Sequence, residues 1–324
     1  MNDHTTIKIV FLDAYTNNPG DISFEPIANL GDFKAYQRTE MSEVADRAKD
    51  ADIIIVNKFL INEETLMHMP NVKYIVVAAT GYNNIDLDAV KSRKIIVSNV
   101  RGYSTESVTQ HVFASILAIM NKAAYYDDQV KAGRWAKSPD FCFYDHPIQD
   151  IAGLTMGILG YGTIGKRVGE VAAAFGMNVI AHTRSTKQKK PEYLKFVDIE
   201  TLWKRSDILS LHCPLTESTK EIVNKTNLKK MKSTAILINT GRGALINEND
   251  LFYALDHGVI RGAALDVLTK EPPHFSNPLI NHARCLVTPH IAWASQNARK
   301  TLINGIAQNI QAYLDGDAIN IVNL

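Results

Sequence analysis

Residues 156–159 form a short apolar run that feeds directly into Gly160-Tyr161-Gly162-Thr163-Ile164-Gly165, and Ile164, Val168, Val171 and Ala172 then recur at helical spacing. Three glycines at G-x-G-x-x-G spacing arise readily by chance, but a buried strand entering them and an amphipathic helix leaving them do not. Gly160 suits the tight turn, Gly162 lets the backbone approach a pyrophosphate, and Gly165 lets helix and strand pack closely. The helix N-terminus, at Thr163 and Ile164, then presents unpaired N–H groups and a positive dipole end to the phosphates. The pattern predicts a doubly wound α/β sheet that binds a dinucleotide.

The rest of the chain fits that class. Strand-length apolar runs at residues 7–12, 53–56, 75–78 and 95–97 alternate with helical segments, one capped by Ser42 and one opened by Asn62. Runs without polar alternation mean strands buried on both faces. A long helix is expected over residues 108–131, begun at Ser104. Six strands then follow at 156–159, 179–181, 208–211, 235–238, 262–265 and 286–287, with a last helix at 295–314. A length of 324 residues suggests about two domains. The irregular stretch 132–147 carries Trp135, Phe141, Phe143 and Tyr144, which need cover from the parent domain or from a second subunit.

Composition excludes several classes. Formal charge is +1, so no global field draws the chain to nucleic acid. No apolar run approaches the roughly 20 residues of a membrane span. The polar first residues do not read as a signal peptide. Three cysteines without a C-x-x-C pair argue against disulfides and metal and for a reducing, cytoplasmic setting.

The usual ribose-binding acid, about 20 residues beyond the glycines, is missing. The strand at 179–181 runs instead into His182, Thr183, Arg184, Ser185, Thr186 and Lys187, with Lys189 and Lys190 following. Arg184 and the Ser185 hydroxyl suit a 2′-phosphate, which a carboxylate would repel. NADP is therefore expected ahead of NAD.

Three polar groups stand beyond later strands: Arg242 in Asn239-Thr240-Gly241-Arg242-Gly243, Asp266 with Glu271 beyond the next strand, and His290 in Thr288-Pro289-His290. Ligands of open α/β sheets lie outside the carboxyl ends of the strands. There an arginine can clamp a carboxylate and a histidine can pass a proton to a carbonyl oxygen, while an acid orients the histidine and favours its charged form. His4, His68, His111, His212, His257 and His282 are expected to be ordinary satisfied polar residues.

Taken together, these motifs and Leu211-His212-Cys213-Pro214-Leu215-Thr216 resemble the D-isomer-specific 2-hydroxyacid dehydrogenase family over nearly the whole chain. Residues 79–86 and 102–108, with Arg134-Trp135 and residues 140–143, most resemble its hydroxypyruvate-reducing, glycerate dehydrogenase branch. The resemblance implies a Rossmann-type dinucleotide-binding domain, residues 101–291, inserted into a flavodoxin-like substrate-binding domain of residues 1–100 and 292–324. It implies His290 as proton donor, Glu271 as its partner and Arg242 as ligand of substrate carboxylate and carbonyl. The amides of Thr80 and Gly81 would hold the carboxylate, with Lys58 near the substrate. Asp266 would meet the nicotinamide carboxamide, and Cys213, Pro214 and Thr240 would line the dinucleotide. A homodimer is implied as well. D-lactate or 3-phosphoglycerate as substrate stays open, and so does a nucleotide-sensing corepressor built on the same fold.

Overall fold

In the computed structural model, which describes residues 6–184 and 191–323, every pairing between named strands is parallel. The chain divides into two compact units, Met1–Ser104 with Trp293–Leu324, and Thr105–Ala292. The first holds β1 (Lys8–Phe11), β2 (Asp32–Ala35), β3 (Ile53–Val56), β4 (Tyr74–Val77) and β5 (Ile96–Asn99), in the order β2-β1-β3-β4-β5. That is the flavodoxin-like order. Every residue of β3 and β4 is buried, which is why these strands read as unbroken apolar runs. One face packs on the helix Gln296–Leu314 through Leu302, Ile303, Ile306 and Ile310.

The second unit holds β6 (Thr155–Leu159), β7 (Asn178–His182), β8 (Leu194–Phe196), β9 (Ile208–Leu211), β10 (Ile236–Asn239), β11 (Gly262–Leu265) and β12 (Cys285–Val287). Their order, β12-β11-β10-β9-β6-β7-β8, is the Rossmann arrangement with β12 added at one edge. The α/β class and the Rossmann sheet expected from the glycine motif are therefore present, with seven strands in place of six.

The strands absent from the sequence reading are β2 and β8. Both lie at sheet edges, and both mix polar with apolar residues, Asp-Phe-Lys-Ala and Leu-Lys-Phe. An edge strand needs no continuous apolar run, so the period that revealed the inner strands is missing there. The helix expected over 108–131 is two, Thr105–Asn121 and Ala123–Lys131, parted at Lys122, whose φ of 51° is left-handed. Ser42 caps nothing. A capping box between Glu40 and Glu43 starts the short helical turn there.

The last helix is tied to the rest of the first unit by Arg299, only 8% exposed, whose guanidinium forks onto Asp21 at 2.5 and 2.6 Å. That guanidinium holds the Asp21 carboxyl down at about 2. The pair's contribution is thus complete above the ordinary carboxylate value near 3.8 and is lost as pH falls through about 2. Arg299→Met should lower the thermal midpoint at neutral pH, and the gap to the wild-type chain should close on acidification across that window, as followed by circular dichroism.

Candidate active site

At the end of β6 the backbone turns through Gly160 at φ +97°, and a β-carbon there would meet Cys213 N at 2.5 Å. No other residue fits that turn. The helix Thr163–Ala174 starts immediately after, capped by Gly162, around which a β-carbon would find open space. At Gly165 the same atom would lie 2.2 Å from Gly160 O. The three glycines thus divide as the motif requires: turn, open approach, close packing.

Beside them opens a cleft of about 600 Å³, lined by Gly160, Gly162, Thr183, Arg184, Cys213 and Pro214 among others. No carboxylate is among its described lining residues. Burial pushes the Cys213 thiol up to about 11, so it faces the cleft uncharged. His212 is pushed down to about 4 by burial, and its Nε2 pairs with Ser210 Oγ at 2.8 Å, a neutral satisfied residue as expected. Beyond β10, Thr240 Oγ1 is buried without a hydrogen-bond partner. An open glycine edge, a helix N-terminus and an unsatisfied hydroxyl fit a dinucleotide. Gly162, Thr163 and Ile164 would hold its phosphates. Ser185, Lys187, Lys189 and Lys190, expected near the ribose, lie outside the described residues, as does His4.

The acid–base group forms within the same unit. His290 follows β12, with Nδ1 2.6 Å from Glu271 Oε2 and side-chain exposures of 28% and 35%. Glu271 Oε1 accepts the Leu268 N–H at 3.0 Å, which fixes the carboxylate. With Nδ1 bonded to Glu271, Nε2 is the ring nitrogen left to serve a ligand.

Arg242 leaves β10 through a loop in which Asn239 Nδ2 donates to Arg242 O at 2.9 Å. A β-carbon on the next residue, Gly243, would stand 2.0 Å from Leu268 C, so only glycine lets this loop lie against the segment leading to Glu271. One guanidinium N–H donates to Gly241 O at 2.8 Å. The other donors make no bond to a described residue, which leaves a fork for a carboxylate.

Asp266, expected at the nicotinamide carboxamide, follows β11 directly. Its side chain has no exposed surface. Oδ1 accepts from Thr288 Oγ1 at 2.6 Å and Ile291 N at 2.9 Å, and Oδ2 accepts from Ala292 N at 2.8 Å. The carboxylate thus holds the segment around His290. His111, read from sequence as an ordinary polar residue, points its Nε2 at this group, 3.0 Å from Thr288 Oγ1. A histidine beside the apolar face of a helix was its only sequence signal.

In the first unit, Thr80 and Gly81 follow β4. Thr80 Oγ1 donates to Val100 O at 3.0 Å, and Thr80 O accepts from Asn99 Nδ2 at 2.6 Å. The backbone N–H groups of Thr80 and Gly81 make no bond to a described residue. Lys58 is exposed, on a loop whose N–H groups at Asn57, Lys58 and Phe59 all donate to the Asp13 carboxylate. Burial pushes that carboxyl up, against those bonds. Among the described residues no cluster could hold a metal ion, and no helix is long and apolar enough to cross a membrane.

Comparison with known proteins agrees with this geometry. The family profile described as the NAD binding domain of D-isomer specific 2-hydroxyacid dehydrogenase matches residues 113–292. A hydroxypyruvate reductase of Blautia hydrogenotrophica is 40% identical over 98% of this chain and 100% of its own. A glycerate dehydrogenase of Methylorubrum extorquens is 39% identical over 98% and 99%. Among solved structures, an acyclic imino acid reductase in complex with NADPH and D-arginine superposes with a TM-score of 0.84 at 34% identity, covering 98% of this chain and 100% of that one. With a nucleotide-shaped glycine turn, a histidine–glutamate pair and an uncommitted arginine on one Rossmann unit, and with relatives matched end to end, the chain belongs to the D-isomer specific 2-hydroxyacid dehydrogenase family.

Proposed function

We propose that this chain reduces hydroxypyruvate to D-glycerate, with glyoxylate as a secondary substrate. The observation that carries the reading is the 2.6 Å His290–Glu271 pair, set in the same unit as the open nucleotide cleft. The relatives named hydroxypyruvate reductase and glycerate dehydrogenase support the choice of keto acid. A bound reduced nicotinamide would supply the hydride that C2 of the keto acid accepts. The Arg242 fork takes the substrate carboxylate and polarises the carbonyl, so that negative charge growing on oxygen meets a fixed cation. His290 Nε2 gives that oxygen its proton, and Glu271 holds the ring through Nδ1.

NADPH is the proposed donor in preference to NADH. Arg184 lines the cleft, no described acid lines it, and a 2′-phosphate is bound by the first and would be repelled by the second. A second copy of the chain is the proposed cover for Trp135, Phe141 and Tyr144, which are 51%, 89% and 75% exposed, whereas Phe143 packs back on Tyr126. Three free cysteines suit a reducing cytoplasm.

The direct test follows the reduced-nicotinamide absorbance with NADPH and NADH, each against hydroxypyruvate, glyoxylate, pyruvate and 3-phosphohydroxypyruvate. Fastest turnover with NADPH and hydroxypyruvate is expected. Preference for pyruvate or the phosphorylated acid would move the substrate within the family. Binding of nucleotide with no oxidation by any acid would establish a sensor in place of an enzyme.

A further inference from the structure

We propose that His111 is a positioning residue for proton transfer, acting through Thr288 and Asp266 on the segment that carries His290. The proposal rests on the reading of His290 as proton donor. His290 has φ +55°, a left-handed conformation that a non-glycine residue adopts only when its surroundings impose it. What imposes it is Asp266. Its backbone oxygen accepts the His290 N–H at 2.8 Å, and its carboxylate accepts the N–H groups of Ile291 and Ala292. One buried residue therefore grips three consecutive amides, with His290 first among them.

A carboxylate with no exposed surface holds only if donors or a cation compensate it. The remaining donor is Thr288 Oγ1, at 2.6 Å, and the direction of every bond behind it can be worked out. A carboxylate only accepts, so the single hydroxyl hydrogen of Thr288 goes to Asp266 Oδ1. The hydroxyl oxygen must then accept from His111 Nε2 at 3.0 Å, so Nε2 carries a hydrogen. The result is a directed chain, His111 to Thr288 to Asp266 to the His290 segment, in which each bond polarises the next. His111 Nε2 also stands 3.6 Å from Asp266 Oδ1, so its N–H lies beside the buried carboxylate.

Two sets of measurements test this. In steady-state kinetics, His111→Leu and Thr288→Val should each lower kcat about ten- to a hundredfold, because misplacing a reacting group by a fraction of an ångström carries that cost. KM for the keto acid should stay near the wild-type value, since the Arg242 fork is untouched. His111→Gln and Thr288→Ser, which keep the donors, should recover most of the rate. The double variant His111→Leu/Thr288→Val should be no slower than either single one, because both break one chain. Additive losses, equal losses in the conservative variants, or an unchanged kcat would overturn the proposal. Independently of turnover, ¹⁵N NMR of the wild-type chain, assigned by comparison with His111→Gln, should show His111 protonated at Nε2. A His111 protonated at Nδ1 alone would overturn the proposal even in an active enzyme. A wild-type chain that oxidises no reduced nicotinamide would instead defeat the functional reading beneath it.

Discussion

Replacing His290 with asparagine should lower kcat for keto-acid reduction by about 10²–10⁴-fold, the usual worth of a positioned general acid. Asparagine keeps a polar group and tolerates the left-handed backbone at this position better than most residues, so the loss reports the missing proton and not a collapsed loop. Nucleotide affinity, measured by fluorescence titration with NADPH, should be unchanged, because the glycine turn at Gly160–Gly165 contains none of the altered atoms. A variant retaining most of its kcat would mean that solvent protonates the alkoxide unaided.

Arg242→Lys should cost about 10²–10³-fold in kcat/KM, on the scale of removing a donor aimed at developing oxyanion charge. Lysine keeps the charge but not the planar fork, so it can neither clamp a carboxylate through two parallel bonds nor polarise the carbonyl beside it. The loss should appear in both constants, as a raised KM from the weakened carboxylate grip and a lowered kcat from the unpolarised carbonyl. Steady-state kinetics with hydroxypyruvate separate the two. A variant with near wild-type kcat/KM would place the substrate carboxylate elsewhere.

How far these sites can be read from sequence depends on what enforces each residue. The turn at Gly160–Gly165 is enforced by sterics, since β-carbons at Gly160 and Gly165 would fall within 2.5 and 2.2 Å of neighbouring backbone. Such constraints leave a readable pattern. The His290–Glu271 pair was accessible in the same way, because strand ends of a parallel sheet converge whatever the intervening helices contain. The edge strands β2 and β8 left no apolar period, and the break at Lys122 is marked by no glycine or proline.

Asp266 and His111 were harder for a different reason. An acid after a buried strand looks the same whether it faces a ligand or turns inward onto backbone amides, and only coordinates show that its side chain has no exposed surface. His111 lies 177 residues from Thr288 in the chain, a separation that no local pattern reports.

The central claim is that His290, held by Glu271, supplies the proton. The measurement closest to it is steady-state keto-acid reduction by Glu271→Ala beside the wild-type chain. Glu271 Oε2 stands 2.6 Å from Nδ1 and fixes the ring so that Nε2 is left for the substrate oxygen. Losing that partner should lower kcat about ten- to a hundredfold, with NADPH affinity unchanged. A kcat equal to that of the wild-type chain would contradict the pairing of these two residues in proton transfer.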